Sequence, residues 1–175
     1  EAFLDLSGTE KLHGCSPAAT LIKLIHRIEN QIGITASVGL SYNKFLSKTA
    51  SDLDKPRGFA IVGKAKALDF LGPRPVGSIW GVGKSLKAKL ERDGLMTISQ
   101  LRNMSESDLI KRYGVIGKRL SSLSHGYDTR IVEPGSKAKS LSAETTFQEN
   151  IKDLKGLLYR LWPLCEKVAS QLKDK

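Results

Sequence analysis

Between Lys64 and Gly135 glycine interrupts the chain too often for any long element to form. Glycines at 72, 77, 81, 83, 94, 114, 117, 126 and 135 cut this stretch into short pieces. Each glycine inside a helix costs about 1 kcal/mol relative to alanine, so helices stop or start there. Alternating, β-branched runs are missing as well, so strands are not expected. What remains is a series of short helices: up to Phe70, then Lys84–Arg92, Ile98–Asn103, Glu106–Tyr113 and Lys118–His125. Ser105-x-x-Asp108 resembles a capping box, with Asp where Glu or Gln is usual. Residues 64–135 therefore read as a small all-helical domain.

The stretch before it follows another rule. Ala2–Leu6 alternates and meets the turn signal Ser7-Gly8-Thr9, as a strand would. Ser16 and Pro17 open a helix whose Leu21, Ile25, Ile28 and Ile32 recur at helical spacing, and Gly33 closes it. Ile34–Leu40 is rich in β-formers. Asn43 caps a second helix running through Leu53, closed by Lys55-Pro56-Arg57-Gly58, and Phe59–Val62 is a short apolar strand. Residues 1–63 thus read β-α-β-α-β, and with the helical domain the chain is of the α+β class. Glu133–Lys139 is polar, basic and contains breakers, so it reads as a linker. Ser140–Phe147 is expected to be a strand. A last helix places Leu154, Leu157, Leu158, Leu161, Cys165, Val168 and Leu172 on one face, with Pro163 expected to bend it. The first residue is Glu1, not Met, and both ends read as cuts through a longer protein.

Charge narrows the function. Residues 1–63 hold 7 basic and 6 acidic groups, 64–135 hold 13 and 7, and 136–175 hold 8 and 5. The surplus lies in the last two-thirds, where it suits a polyanion that sheds condensed counterions on binding. Cys15 and Cys165 stand far apart and form no disulfide framework. His13 and Cys15 are not followed by a second ligand pair, so nothing supports a zinc site. No apolar run is long enough to span a membrane, and no signal peptide is expected. A soluble protein of a reducing compartment is expected.

Two glycine motifs in the basic stretch carry the clearest chemistry. Ile79-Trp80-Gly81-Val82-Gly83-Lys84 precedes a helix. Paired glycines flanking one apolar residue allow a tight turn whose N–H groups point outward at a helix N-terminus. Such a nest holds a phosphate without reading a base, as in the helix-hairpin-helix pattern. Gly114-Val115-Ile116-Gly117-Lys118 repeats the idea with wider spacing, so contacts to the DNA backbone are expected from both. Gly-Val-Gly-Lys-Ser also ends like a Walker A loop, but Ser78 stands where that loop needs glycine and no buried strand precedes it. Lys44 and Lys48 share a helix face, and Lys55 sits where the chain turns out of that helix. Glu1 and Asp5 share one side of an extended run but lie roughly 13 Å apart at about 3.3 Å per residue. Paired catalytic metals sit about 3.5–4 Å apart, so these two carboxylates do not clamp one pair.

Several stretches together resemble the Y-family DNA polymerases, most closely the bacterial DNA polymerase IV type. They are Glu1–Ser7, Ala36–Asp52, Lys55–Gly58, Ile79–Lys84 and Lys139–Phe147, in the family's order along essentially the whole chain. The resemblance implies that 1–63 are the rear of the palm, 64–135 the thumb, 136–139 a linker, and 140–175 the start of the little finger. Glu1 would be the last residue of the Ser-x-Asp-Glu motif, a catalytic and metal-binding carboxylate. Its partner aspartates would lie outside this chain. Two Mg²⁺ ions would serve nucleotidyl transfer onto a primer 3′-hydroxyl. Lys55 would contact the incoming nucleotide triphosphate and stabilise charge on the leaving group. Gly81, Val82, Gly83 and Lys84 would hold primer-strand phosphates, Gly117 and Lys118 a neighbouring contact, and Lys137, Lys139 and Ser140 would track the DNA backbone.

Primer-template DNA and a dNTP are then the implied partners. A sliding clamp would be met through a segment not in this chain, with no membrane involved and a bacterial cytoplasmic location. This chain alone is expected to be catalytically inactive. Two alternatives from the same residues are a non-catalytic helix-hairpin-helix repair module and a degenerate polymerase homologue that has lost its metals.

Overall fold

The computed structural model describes residues 1–135 and 140–173, and these fall into two units, Glu1–Val132 and Glu133–Lys175. In the first unit, helix α1 (Glu10–His13) leads into α2 (Pro17–Ile32), whose start is held by Ser16 Oγ accepting from the Ala19 N–H. Gly33 ends α2 at φ +76°, a conformation glycine adopts without strain. Strand β1 (Val38–Ser41), helix α3 (Lys44–Ser51) and strand β2 (Phe59–Val62) form a crossover unit. Its two strands pair in parallel with Val38 opposite Phe59 and Ser41 opposite Val62.

Gly39 lets α3 lie directly on the sheet, because a Cβ there would run into Ser47 O, Ser51 N and Ala50 Cβ. Asn43 Oδ1 accepts from the Leu46 N–H and starts α3 where the side-chain pattern places it. The helix then drives Phe45, Leu46 and Ala50 into the core, each fully buried.

The helical stretch is α4 (Ala67–Leu71), α5 (Lys84–Arg92), α6 (Ile98–Arg102), α7 (Glu106–Tyr113) and α8 (Val115–Ser124). A 3-10 turn at Val76–Ser78 leads toward α5. One apolar core joins these helices to the crossover unit: Phe45, Leu46 and Val62 pack in the same cluster as Leu71, Ile79, Leu101, Leu109 and Leu120. Polar ties reinforce the joint. Asn43 Nδ2 donates to Gly126 O at 2.8 Å, and Asp128 Oδ2 accepts the Phe45 N–H at 2.9 Å. The second unit holds α9 (Leu154–Lys173), which carries Pro163 within its length and buries none of its residues.

Three local expectations change. Ala2–Leu6 and 140–147 are extended or irregular rather than strands, since no neighbouring strand among the described residues supplies a ladder for either. Helix α8 begins at Val115, three residues before the expected Lys118. Gly114 makes the break by itself, at φ +67° and ψ −145°, which leaves Gly117 inside the helix. The linker at 136–139 lies outside the described residues.

Candidate nucleic-acid interface and active-site cleft

The two glycine motifs sit at the starts of the longer helices of the basic stretch, and both starts lack a side-chain cap. Helix α5 begins at Gly83 and α8 at Gly114, neither of which has a side-chain oxygen to offer the first-turn N–H groups. By contrast Ser16, Asn43 and Ser105 cap α2, α3 and α7 with their own side chains, and at the start of α6 the Gln100 side chain accepts the Thr97 N–H at 2.9 Å. The uncapped starts leave N–H donors and the positive end of the helix dipole facing outward, which is what a phosphate oxygen needs.

At the first motif Ile79 is buried and anchors the turn, while Gly81 takes φ +99°. Val82 turns its N–H back to Ile79 O at 2.9 Å and packs against the core, so the outward donors are those that follow it, at Gly83 and Lys84 onward. Lys84 is exposed. Arg119 of α8 reaches this turn, its Nη2 donating to Trp80 O at 3.1 Å, with its guanidinium 3.5 Å from where a Gly81 Cβ would stand. A cation from the second hairpin therefore flanks the first. Sequence reasoning missed Arg119, because 39 residues separate it from Trp80 and no spacing rule joins them.

The second motif is built differently. Gly117 is buried, its N–H bonds to Gly114 O at 2.9 Å, and a Cβ on it would collide with Leu109 O, Leu109 C and Ile110 N. The backbone of α7 and that of α8 lie in close contact there. Val115, Ile116 and exposed Lys118 present the start of α8, with the Val115 side chain almost wholly in solvent. Ser140 is exposed in an irregular segment of the second unit, and Lys137 and Lys139 lie outside the described residues.

Glu1 and Lys55 line one cleft of about 740 Å³ beside α3, together with Lys48, Ser51 and Pro56. They do not touch; two groups stand between them. Lys48 Nζ lies 3.2 Å from Glu1 Oε2 and 3.0 Å from Asp52 Oδ1, and Lys55 Nζ lies 2.6 Å from the same Asp52 oxygen. The bond to Asp52 raises the Lys48 pKa against the pull of burial, helped by Glu1. Burial pushes the Asp52 carboxyl up, but hydrogen bonds from Lys55 and Lys48 outweigh it and hold it below the usual range. The turn carrying Lys55 is tied to α2 through Arg57 Nη2, 2.6 Å from Glu29 Oε1. Asp5 is an exposed turn residue whose carboxylate accepts from the Ser7 N–H.

Near Glu1, Phe3 stacks on Trp80 with ring centroids 5.8 Å apart, and the Arg130 guanidinium lies 4.1 Å from the Trp80 ring. Arg130 is in turn held by Asp128. The extended segment that carries Glu1 is thus fastened to the residue just before Gly81. Among the described residues no group of three His, Cys, Asp or Glu side chains could hold a metal ion, around Glu1 or elsewhere. No helix among them is long and apolar enough to cross a membrane.

Comparison with known proteins fits this arrangement. The impB/mucB/samB family matches residues 1–52, the IMS family HHH motif 64–93, and the impB/mucB/samB family C-terminal domain 138–175. DNA polymerase IV of Brucella melitensis is 57% identical over 173 residues, which is 99% of this chain and 39% of that protein. DNA polymerase IV 1 of Mesorhizobium japonicum is 55% identical over 99% of this chain and 40% of its own length. DNA polymerase IV of Caulobacter vibrioides is 48% identical over 99% of this chain and 43% of its own. The crystal structure of DinB from Sulfolobus solfataricus superposes with a TM-score of 0.62 at 26% identity, covering 71% of this chain and 38% of that one. The chain spans about two-fifths of the length of the curated relatives it matches.

Proposed function

The chain belongs to the impB/mucB/samB family, the Y-family DNA polymerases of the DNA polymerase IV type, and from that premise we propose that it serves as the DNA-gripping part of a translesion polymerase. The observation that carries the reading is the pair of uncapped helix starts at Gly83 and Gly114 in the most basic stretch, with Arg119 laid across the first turn. Their N–H groups meet phosphate oxygens and read no base edge, so the grip is indifferent to sequence. A copying enzyme that moves along any template needs such a grip.

In this reading Gly83, Lys84 and Arg119 hold primer-strand phosphates, and Gly81 and Val82 shape the turn that presents them. Val115, Ile116 and Lys118 hold a neighbouring phosphate, with Gly117 letting the helix pair close beneath them. Lys137, Lys139 and Ser140 follow the backbone farther along. Glu1 is one carboxylate of a metal-dependent nucleotidyl-transfer site completed by residues outside this chain, with Mg²⁺ as its ion. Lys55, across the same cleft, neutralises charge on the dNTP triphosphate. Primer-template DNA and dNTP are the substrates, a sliding clamp is a partner of the whole protein, and the location is the bacterial cytoplasm.

The expected behaviour of the chain by itself is weak binding to duplex DNA of any sequence, measured by fluorescence anisotropy. Affinity falls steeply with salt, with a log–log slope of about −0.9 for each phosphate neutralised. Lys84→Ala lowers that slope by about one contact. A response that stays flat as salt rises contradicts the phosphate grip. The same chain gives no primer extension.

A further inference from the structure

The Glu1–Lys48–Asp52–Lys55 chain assigns a task to Asp52 that neither its exposure nor its charge suggests. Asp52 is the C-terminal cap residue of α3, and its single Oδ1 receives Lys48 from one turn earlier and Lys55 from the turn that follows. Its side chain is half exposed, and exposed ion pairs of this kind contribute little to stability. What the arrangement does fix is direction. Lys55 stands on a flexible four-carbon stem, and its own side chain is also more than half exposed. Without a partner its ammonium would sample many positions around the cleft mouth.

We propose that Asp52 is a positioning residue that aims the Lys55 ammonium across the cleft at the triphosphate of the incoming nucleotide. Lys48 completes the device by linking Asp52 to Glu1, so that the triphosphate contact and the catalytic carboxylate are fixed by one helix end. The proposal rests on the polymerase reading above. A carboxylate beside a triphosphate would repel it, but Asp52 stands between two ammonium groups, and the trio is net positive. Removing the Asp52 charge therefore separates two explanations. If Asp52 acted only through its field, its neutralisation would improve triphosphate binding; if it aims Lys55, neutralisation weakens it.

The test is steady-state single-nucleotide incorporation by a full-length chain carrying this sequence, with Asp52→Asn, Asp52→Glu, Lys55→Ala and the Asp52→Asn/Lys55→Ala pair. The expected result for Asp52→Asn is a KM for dNTP raised about tenfold with kcat changed by about twofold or less. Asp52→Glu recovers most of the loss. Lys55→Ala raises KM at least as much, and the double variant is no worse than Lys55→Ala alone, as a residue acting through another requires. Should Asp52→Asn fold poorly by circular dichroism, Asp52→Ser gives the same comparison. A KM that stays level or falls, or effects that add in the double variant, overturns the proposal while leaving the polymerase reading intact. Absence of extension by the unmodified protein removes both.

Discussion

The Tyr113 hydroxyl donates to Asp93 Oδ2 at 2.6 Å, joining α7 to the end of α5. Burial, and then the Asp93 carboxylate, push the Tyr113 pKa up to about 12 from an ordinary 10.0. A raised pKa means the bond's contribution is complete below pH 10 and is lost as pH climbs through the folded value. Stability should therefore fall between about pH 10 and 12 more steeply in the natural protein than in Tyr113→Phe. At neutral pH the substitution costs about 1 kcal/mol. Urea melts of the two proteins across that range check both statements, and parallel pH curves would contradict them. Gly117 makes a second residue-scale case. Gly117→Ala forces a methyl into the Leu109 carbonyl and should cost about 1–3 kcal/mol. A melt unchanged within a few tenths would show that the helix pair can separate at no cost.

Helix α5 starts at a residue that leaves its cap open, and that opening has a thermodynamic signature. Gly83 has an extended backbone, φ −79° and ψ 176°, and nothing within 4 Å of an added Cβ. Gly83→Asp should thus fit without strain, cap the first-turn N–H groups and add a few tenths of a kcal/mol. It should also weaken DNA binding at least tenfold, since a carboxylate then occupies the phosphate's place. A rise in Tm with unchanged DNA affinity would mean that this helix end never meets phosphate. Elements of this kind were legible in the sequence wherever a local signal decided them: Ser16, Asn43 and Ser105 start α2, α3 and α7 where their side chains predict. The sequence placed Lys48 on a helix face and Lys55 at the turn beyond it, but Asp52 between them was not singled out, and nothing local said that Glu1 would join them. Illegible were the features set by partners distant in the chain. Ala2–Leu6 alternates as a strand does but has no neighbouring strand among the described residues to pair with. Gly117 looks like a second phosphate nest until α7 is packed against it. Arg119 meets Trp80 only through the fold.

Across Glu1–Val132 the crossover unit and the glycine-broken helices share one core, so this unit should melt as one. Leu46→Ala in α3 and Leu101→Ala in α6, both fully buried, should each lower the same transition by about 2–5 kcal/mol. Two separate transitions, each sensitive to one substitution, would show that residues 1–63 and 64–132 fold independently. The shared core also has a functional meaning. Through the Phe3–Trp80 stack and the Asp128 contacts, it holds the cleft that contains Glu1 and Lys55 at a fixed place beside the Gly83 helix start. Under the function proposed above, grip on the duplex and chemistry at the primer end would be set by one body. The measurement that tests this most directly is primer extension with Mg²⁺ and all four dNTPs by a full-length chain carrying this sequence, beside its Glu1→Gln variant. Template-directed extension by the first, abolished in the second while duplex binding persists, is the predicted result. No extension by the unmodified protein, with DNA binding intact, would contradict the account and leave a DNA-binding module or a degenerate homologue in its place.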